Sequence, residues 1–424
     1  MPRFPHALLP SVLAVPLAAT IARAQAPAPP AATPAAQTEA DAYTRYELLA
    51  PGSAKFRIVY EVTATTPGAT AYYNPIRPGS VATDERVTDR ATGRPLAFAV
   101  VDGTAARAGG VPGADSAGRY IRVALARPVP NDGGARLLIE KTYEDAKTYR
   151  ADGRDLVFER VLGIKRNAVV LPAGYEIVSC NYPSQVRQQP DGRIAVSFWN
   201  ATPAPAPLVL RARPGAPGPG APAAAPSSAA LSSAAARFTE RAHQDRAIVY
   251  FLRQPETHAF DLYHDYTESR PGTSTYVNVV RAGSTVSNPS ARNLDTGESL
   301  RWELRKGSAI PNAGLSAPGE PAVTPETEAV VFRFAPVAAG QSVRLRMSET
   351  YVDSARYRLV GDELVWDRSF GRPANAVVLP AGWALANSAM PAQVSELPDG
   401  RVRLDFINPR PDELGVLVTA RRRR

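Results

Sequence analysis

The sequence Asn167-Ala-Val-Val-Leu-Pro-Ala-Gly174 returns unchanged as Asn375-Ala-Val-Val-Leu-Pro-Ala-Gly382. An identity of this length within one chain indicates that a segment has been duplicated. Its apolar part, Ala-Val-Val-Leu, contains two β-branched residues and predicts a buried strand. The Leu-Pro-Ala-Gly part predicts a turn, because proline presets φ at the second position and glycine suits the fourth. We therefore expect two copies of one structural unit.

A second repeated motif follows each copy of the first. Pro190-Asp191-Gly192-Arg193 matches Pro398-Asp399-Gly400-Arg401. An Asp-Gly pair between two strand-like segments is a strong signal for a hairpin. After each turn, apolar residues alternate with polar or small ones, as at Ile194, Val196 and Phe198 and at Val402, Leu404 and Phe406. This period of two predicts a strand with one solvent-exposed face.

The correspondence extends over most of both copies. Asn74 corresponds to Asn278 in the earlier part, and Tyr143 corresponds to Tyr351 in the later part. Strand patterns and turn signals dominate, and helical periodicity is nearly absent. The sequence thus predicts an all-β fold of two tandem antiparallel β-sandwich domains of the immunoglobulin-like type, joined by Pro/Ala-rich linkers.

The composition along the chain suggests the domain boundaries. We expect long loops at 102–118 and 306–327, which are rich in small residues or proline and lack periodicity. The expected segments are a signal peptide at 1–24, a disordered Ala/Pro tether at 25–40, the first sandwich at 41–213, a Pro/Ala/Ser linker with a short helix at 214–245, and the second sandwich at 246–424.

The N-terminal segment predicts export. Arg3 supplies a basic start, residues 7–22 are mostly apolar, and Ala22-Arg23-Ala24 fits an A-x-A cleavage site. The apolar part is short and contains prolines, which argues against a transmembrane helix, and no other stretch is long and apolar enough to span a membrane. The mature protein is expected to be periplasmic or extracellular.

The charge distribution argues against nucleic-acid binding. The formal net charge is +9, but the arginines are scattered among acidic residues, whereas nucleic-acid sites concentrate them on one face. Only Arg421–Arg424 form a continuous basic run. A solvated tail explains that run, with attraction to an anionic surface as the alternative.

Several polar residues recur in both copies. Asp191 is explained by its turn, and Asn167 is expected to bond backbone at a strand end. The arginines have no such explanation. They are either duplicated ligand or anion contacts or members of structural salt links. The candidate ligand-binding residues are therefore Arg77, Arg160, Arg281 and Arg368.

Aromatic residues also recur. Three tryptophans stand where the other copy has a different aromatic residue, namely Trp302 for Phe98, Trp366 for Phe158 and Trp383 for Tyr175. Anchoring of the two cores explains this pattern. The alternative is a platform on which sugars stack, since aromatic faces pack on apolar sugar faces.

No metal, cofactor or catalytic motif is present in the sequence. H-E-x-x-H, G-x-S-x-G, G-x-x-x-x-G-K and C-x-x-C are all missing. In the second copy, His258 and His264 are separated by about 20 Å along an extended strand, too far to share one metal ion. Both are expected to be exposed. With Asp261, they are the residues to examine if the second copy carries a hydrolase site.

One pair of strands carries a resemblance. Ile121-Arg-Val-Ala-Leu-Ala-Arg-Pro-Val-Pro130 ends in a proline turn, and Arg136-Leu-Leu-Ile-Glu-Lys-Thr-Tyr143 ends in tyrosine. This arrangement resembles the non-catalytic N-terminal β-sandwich of M1-type aminopeptidases, whose zinc-binding helix has no counterpart here. The chain as a whole resembles uncharacterised exported bacterial proteins with duplicated β-sandwich domains. These resemblances imply a fold and a location outside the cytoplasm, and no activity.

The sequence therefore favours a non-catalytic binding or scaffolding protein of the bacterial cell envelope. Two similar modules on a linker suit bivalent binding, and loops at one end of each sandwich are the expected contact surfaces. The expected partner is an envelope protein or a glycan, and no cofactor is expected. The alternatives are an exported hydrolase with its site in the second copy and a carbohydrate-binding module.

Overall fold

The computed structural model describes residues 35–215, 240–243, 246–311 and 323–423. In these residues the regular structure is almost entirely β-strand, arranged as two similar halves. The predicted all-β class with two tandem sandwich-like domains is confirmed. The predicted signal peptide and most of the 214–245 linker, with its expected helix, lie outside the described residues.

Fourteen strands form the described part of the first copy. They are β1 Glu39–Leu48, β2 Lys55–Ala64, β3 Ala71–Ile76, β4 Val81–Asp89, β5 Phe98–Asp102, β6 Arg119–Ala124, β7 Ala135–Glu144, β8 Tyr149–Asp152, β9 Asp155–Leu162, β10 Arg166–Val170, β11 Tyr175–Cys180, β12 Gln185–Gln188, β13 Ile194–Trp199 and β14 Ala206–Pro214. A short helix, α1 Gly103–Ala108, follows β5.

The described part of the second copy repeats these strands one for one. They are β15 Arg246–Leu252, β16 Ala259–Glu268, β17 Thr275–Val279, β18 Thr285–Asn293, β19 Arg301–Lys306, β20 Glu328–Arg333, β21 Val343–Val352, β22 Tyr357–Val360, β23 Glu363–Phe370, β24 Ala374–Val378, β25 Trp383–Ser388, β26 Gln393–Glu396, β27 Val402–Ile407 and β28 Leu414–Arg422. Single 3₁₀ turns lie at Pro255–Thr257 and Gly307–Ala309.

Each copy contains three sheets with the same strand order. In the first copy the orders are β12-β13-β10-β1-β2-β7-β4, β11-β14-β9-β8 and β3-β6-β5, and the second copy has the corresponding strands in corresponding places. The repeated octapeptide supplies the buried strands β10 and β24. Each pairs in parallel with the first strand of its copy, through Thr44–Asn167 and Ile248–Asn375. These parallel pairs are an exception to the otherwise antiparallel ladders.

The cores follow from the alternation of side chains along the strands. In β2 the even-numbered residues from Phe56 to Ala64 are buried and the odd-numbered ones are more exposed. Phe56 packs edge-on against Phe158 with ring centroids 5.6 Å apart, and Phe260 packs edge-on against Trp366 at 4.9 Å. Equivalent aromatic pairs therefore anchor both cores.

Local hydrogen bonds confirm two predictions for the repeated polar residues. The side-chain amide of Asn167 donates to the carbonyl of Ile164 at 2.6 Å, and Asn375 donates to Arg372 at 2.8 Å. The Asp191 carboxylate accepts the backbone N–H of Arg193 at 3.1 Å inside its turn. These residues stabilise strand ends and turns.

Two predictions about irregular segments need correction. The segment predicted as a loop at 102–118 begins with α1, because the Asp102 carboxylate caps the helix by accepting the N–H of Ala105 at 2.8 Å. Six residues are too few to give a periodic signal. The end of the predicted tether also belongs to the fold: β1 starts at Glu39, and the Gln37 N–H donates to the Gly110 carbonyl at 2.7 Å. In the predicted loop 306–327, residues 312–322 lie outside the described part.

The two copies contact each other directly. Arg136 of β7 forms a bidentate pair with Asp295 of the second copy, with Nε–Oδ1 at 2.6 Å and Nη2–Oδ2 at 2.8 Å. Both side chains are buried. Nearby, the backbones approach so closely that a Cβ on Gly133 would lie 2.2 Å from the Leu294 carbonyl oxygen. Glycine is therefore required there by the packing of one copy on the other.

Residues 240–243 are fastened to both copies. The Glu240 carboxylate accepts from the Tyr43 hydroxyl at 2.7 Å. The Arg241 guanidinium donates to the carbonyls of Asn408 and Gly371 at 3.2 and 3.1 Å, while the Arg241 N–H donates to Gln185. This end of the linker therefore holds the first copy against the second.

Candidate functional site

The predicted arginines of the first copy converge. Arg77 and Arg160 both line a cavity of about 660 Å³. Arg160 is buried against the rings of Tyr46, Phe56 and Tyr143, with its guanidinium carbon 5.6 Å from each centroid. Burial lowers the pKa of Arg160 below its ordinary value, and the neighbouring charge of Arg77 adds to this effect.

The carboxylate beside Arg160 is Asp145. It lies 3.7 Å from the Arg160 guanidinium, longer than a good charged hydrogen bond. Its stronger contacts are with Thr148, whose hydroxyl donates at 2.7 Å and whose N–H donates at 3.1 Å. Arg77 is exposed, and its side chain has no hydrogen bond or ion pair with the described residues.

The equivalent arginines of the second copy have closer partners. Arg368 lies 3.2 Å from Asp353, and Arg356 approaches the same carboxylate at 3.1 Å. Arg281 donates to the Ser369 hydroxyl at 3.3 Å and contacts the Glu413 carboxylate at 3.4 Å. In this copy the recurring arginines are members of salt links, which is the structural alternative that the sequence left open.

Behind these sites lies a buried polar pair whose charge is inverted between the copies. In the first copy the Lys141 ammonium donates to the Asn74 side-chain oxygen at 2.6 Å. In the second copy the Asn278 side-chain N–H donates to the Glu349 carboxylate, also at 2.6 Å. Burial lowers the pKa of Lys141 to about 8 and raises the pKa of Glu349 to about 7.

The two histidines of the second copy lie in different surroundings. The prediction that both are exposed is wrong for His264, whose side chain on β16 is buried against Tyr276 and whose Nε2 has no hydrogen-bond partner among the described residues. Burial lowers its pKa well below the ordinary value. His258 bonds the Tyr357 carbonyl through Nδ1 at 2.9 Å, and Asp261 pairs with Arg253 at 2.8 Å. The described residues contain no metal-binding group of histidine, cysteine and acidic side chains.

A cavity lies between the two copies, lined by described residues of both. This inter-copy cleft has a volume of about 770 Å³. Its charged lining residues come in equal numbers, four aspartates and four arginines, and three serines add hydroxyl groups. They are Asp41, Asp132, Asp265, Asp295, Arg136, Arg292, Arg344, Arg346, Ser290, Ser299 and Ser348.

The charges of the inter-copy cleft are paired with each other. Arg346 forms a bidentate pair with Asp265, with both N–O distances at 2.8 Å, and its guanidinium lies 4.0 Å from the centroid of the Tyr263 ring. Arg344 contacts Asp41 at 3.2 Å across the two copies. Arg292 pairs with Asp132, also from one copy to the other. The charged groups of the lining are therefore electrically balanced.

Trp302 of β19 lines the same cleft. It leaves 44% of its surface exposed, and its counterpart Phe98 leaves 38% exposed. Core anchoring, which the recurrence of aromatics suggested, is confirmed for the buried Trp366 and Trp383 and is wrong for Trp302. Trp302 lies on β19, an edge strand of its three-stranded sheet, and both faces of this strand are largely exposed.

The sequence contains only a partial signal for this site. Arg301-Trp-Glu-Leu-Arg-Lys306 alternates apolar and charged residues, which predicts a strand with one buried face. In the structure both faces of β19 are largely exposed. Asp295, which stands where the first copy has Ala91, is a difference between copies that a comparison of the two halves could have found.

The described residues contain no helix with the length and apolarity required to span a bilayer. No protein-family model matches the sequence, and no curated protein matches it.

Similarity to solved structures is distant. An M1 zinc metallopeptidase from Deinococcus radiodurans aligns at 11% identity with a TM-score of 0.29, over 42% of this chain and 42% of the peptidase. A putative nutrient binding protein from Legionella pneumophila aligns at 10% identity and a TM-score of 0.25, over 41% of this chain and 65% of that one. A putative protease from Parabacteroides distasonis aligns at 10% identity and a TM-score of 0.24, over 92% and 93%. These values are too low to transfer an activity, a ligand or a site residue.

Proposed function

We propose that this protein is a non-catalytic, exported binding protein of the cell envelope that takes a neutral glycan in the inter-copy cleft. Export rests on the signal-like sequence at residues 1–24. The observation that carries the glycan proposal is the exposed ring of Trp302 beside a lining of paired aspartates and arginines.

The chemistry of the lining favours a sugar over other ligands. An exposed aromatic face offers a stacking surface for the apolar face of a sugar ring. The carboxylates, guanidinium groups and serine hydroxyls supply acceptors and donors for sugar hydroxyls. A pocket that combines one aromatic surface with a few fixed polar groups is typical of small-ligand sites.

The charge balance favours a neutral ligand. Arg136, Arg344 and Arg346 already have aspartate partners, so a charged ligand would have to displace an existing pair. Asp295 is a buried partner, and displacing it would leave the charge of Arg136 uncompensated, at a cost of about 3–5 kcal/mol. A neutral polyol can hydrogen-bond to the paired groups without breaking them.

The hydrolase alternative has less support, because its suspected residues face different surroundings. Asp261 is partly exposed, whereas His264 is buried on the opposite face of β16. A general base must lie within hydrogen-bond reach of the proton that it removes, and His264 has no access to solvent.

The sequence also suggested bivalent binding, with one site in each copy. The direct contact between the copies and the differences between their arginine sites favour one cleft per chain over two equal, independently mobile sites. The stoichiometry of glycan binding distinguishes these modes: one site per chain agrees with the cleft, and two equal sites would support bivalency.

The test is titration of the full mature chain with neutral oligosaccharides. Maltohexaose, cellohexaose and chitohexaose serve as probes, and tryptophan fluorescence with calorimetry is the measurement. We expect at least one probe to bind and to change the fluorescence, and Trp302→Ala to weaken binding about tenfold, which equals about 1.4 kcal/mol and fits the loss of one stacking contact.

Leu304→Ala is the matched control, since Leu304 is also exposed on β19 but does not line the cleft. We expect this variant to bind as the unchanged protein does. Equal binding by Trp302→Ala, or no binding of any probe, would reject the glycan proposal.

A further inference from the structure

We propose that the arginine cavity of the first copy binds a ligand carboxylate, and that Glu413 of the second copy is a built-in occupant of the equivalent site. This binding site is separate from the inter-copy cleft. It takes an acidic group, whereas the cleft is proposed to take a neutral one.

The difference begins with two positions beside the exposed arginine. In the second copy Arg281 meets Ser369 and Glu413, and the Ser369 hydroxyl also donates to the Glu413 carboxylate. The corresponding residues of the first copy are Val161 and Pro205. Neither side chain can accept a hydrogen bond or carry charge, so Arg77 is left without the partner that its counterpart has.

A third position changes the environment of the buried arginine. Asp353 is contacted by both Arg356 and Arg368. In the first copy Thr148 replaces Arg356 and supplies two hydrogen bonds to Asp145. Asp145 is thus satisfied mainly by Thr148, and its pair with Arg160 is loose at 3.7 Å.

The acidic residues of the cavity are already engaged, and two of its cations are not. Glu144 pairs with Lys55 at 3.5 Å, and Glu159 pairs with Arg150 at 2.6 Å. Lys147 and Arg77 both line the cavity, and the side chains of both have no ion pair with the described residues. The cavity therefore has positive charge available to an incoming anion.

The position of one cation is fixed in advance. Three aromatic rings surround the Arg160 guanidinium, and its side chain is 8% exposed. A guanidinium held in this way loses little conformational entropy when a ligand binds. Arg77, at the exposed side, has room to close on the ligand because the cavity measures about 660 Å³.

Glu413 indicates the class of anion. In the second copy one of its carboxylate oxygens accepts from the Arg281 guanidinium at 3.4 Å, and the other accepts from the Ser369 hydroxyl. A carboxylate can therefore sit beside this guanidinium and use both of its oxygens as acceptors. In the first copy the equivalent guanidinium belongs to Arg77, and Pro205 stands in place of the internal carboxylate. A ligand with an acidic side chain or a free carboxyl terminus would restore the missing contact.

The experiment is an NMR titration of the full mature chain, observing arginine Nε–Hε signals. The probe is a capped glutamate with one carboxylate, capped glutamine is its neutral control, and inorganic phosphate is the competing anion. We expect saturable shifts with capped glutamate, none with capped glutamine, and binding at least fivefold weaker in Arg77→Gln. Thermal unfolding of each variant checks that it folds.

Exchanging residues between the copies gives a second, independent readout. Pro205→Glu should place an internal carboxylate beside Arg77 and abolish binding of capped glutamate. Glu413→Ala should open the second copy and raise the stoichiometry from one site to two. Unchanged stoichiometry in Glu413→Ala together with unchanged binding in Pro205→Glu would overturn the proposal.

The remaining outcomes also decide the question. Binding of phosphate without capped glutamate would reject the carboxylate class, and equal shifts with capped glutamine would reject an anion site. Trp302→Ala should leave capped-glutamate binding unchanged, and Arg77→Gln should leave oligosaccharide binding unchanged. Failure of one proposal is thereby distinguishable from failure of the other.

Discussion

The two copies build the same sheets around opposite buried charges. Lys141 on β7 and Glu349 on β21 occupy equivalent positions, and each is bonded at 2.6 Å by an equivalent asparagine. An asparagine side chain has an acceptor at one atom and donors at the other. Asn74 can therefore accept a hydrogen bond from an ammonium, and Asn278 can donate one to a carboxylate, from equivalent strands of the two copies.

The inverted charge can be compared with the contact between the two copies. Both copies have a polar pair at this position in the same sheet framework, with opposite signs of charge. The contact between the copies depends on a residue of one copy only, because Asp295 stands where the first copy has Ala91. The buried pair thus differs in sign between the copies, whereas the contact between them uses a carboxylate that only one copy has.

The largest expected effect concerns the contact between copies. Asp295→Ala leaves the buried guanidinium of Arg136 without its bidentate partner. We expect the free energy of unfolding to fall by about 3–5 kcal/mol, the usual cost of removing one partner of a buried pair. Urea denaturation at neutral pH measures it.

Asp132→Ala is the control for this change. Asp132 also pairs with an arginine of the other copy, but its side chain is 71% exposed. Exposed pairs contribute little, so we expect a loss below about 1 kcal/mol. Equal losses in the two variants would show that the buried pair is not what holds the copies together.

The second prediction concerns the pH dependence of Glu349. Its pKa is raised to about 7 in the folded protein, so the folded state binds more protons than the unfolded state between about 4.5 and 7. Stability from this group is therefore present at low pH and is lost as the pH rises through 7. Relative to the unchanged protein, Glu349→Gln should gain on the order of 3 kcal/mol across this window.

Lys141→Met tests the opposite sign in the first copy. The pKa of Lys141 is lowered to about 8 by burial, so the unfolded state binds more protons between about 8 and 10.5. Stability of the unchanged protein from this group rises with pH in that range. The advantage of Lys141→Met should therefore shrink as the pH rises. Denaturation midpoints from pH 4 to 10.5 measure both variants, and parallel profiles would contradict the inverted charges.

The third and smallest effect is the difference in stability between two variants, each with the same asparagine-to-aspartate substitution in one copy. Asn74→Asp places a carboxylate beside an ammonium, whereas Asn278→Asp removes a donor and places a second carboxylate beside Glu349. Like charges at close range disfavour each other and opposite charges attract. We expect Asn278→Asp to be less stable than Asn74→Asp by about 2 kcal/mol at pH 8.

Thermal unfolding of the two asparagine variants under identical conditions gives this difference directly. Asn278→Ala and Asn74→Ala serve as controls, since they remove the amide without adding charge. If the two aspartate variants are equally stable, the buried lysine and glutamate do not interact with their asparagines as described.

Much of the fold was accessible from local patterns. The repeated octapeptide predicted two equivalent units, and β10 and β24 are buried strands because Ala-Val-Val-Leu has no polar side chain to expose. The Asp-Gly turns and the alternation after them predicted β13 and β27. Helix α1 was missed, because a six-residue helix capped by one aspartate leaves no periodic pattern.

The sites were accessible only in part. Comparison of the copies selected the four recurring arginines, and it could not separate Arg77 from Arg281. That distinction depends on Glu413, which is remote in sequence from Arg281 and reaches it only through the pairing of β23 with β28. Likewise, no local pattern indicated that His264 would be buried.

By itself the sequence determined the duplication, the strand-rich class and the turns, because these follow from side-chain periodicity and backbone preferences within a few residues. The tertiary structure decided which corresponding residues of the two copies have the same burial and the same charge partners. Trp302 is exposed on β19, an edge strand beside the inter-copy cleft. Among the described residues, no distant strand brings a carboxylate to Arg77 as β28 brings Glu413 to Arg281. Burial and charge pairing depend on neighbours that are far apart along the chain, so only the assembled fold can assign them.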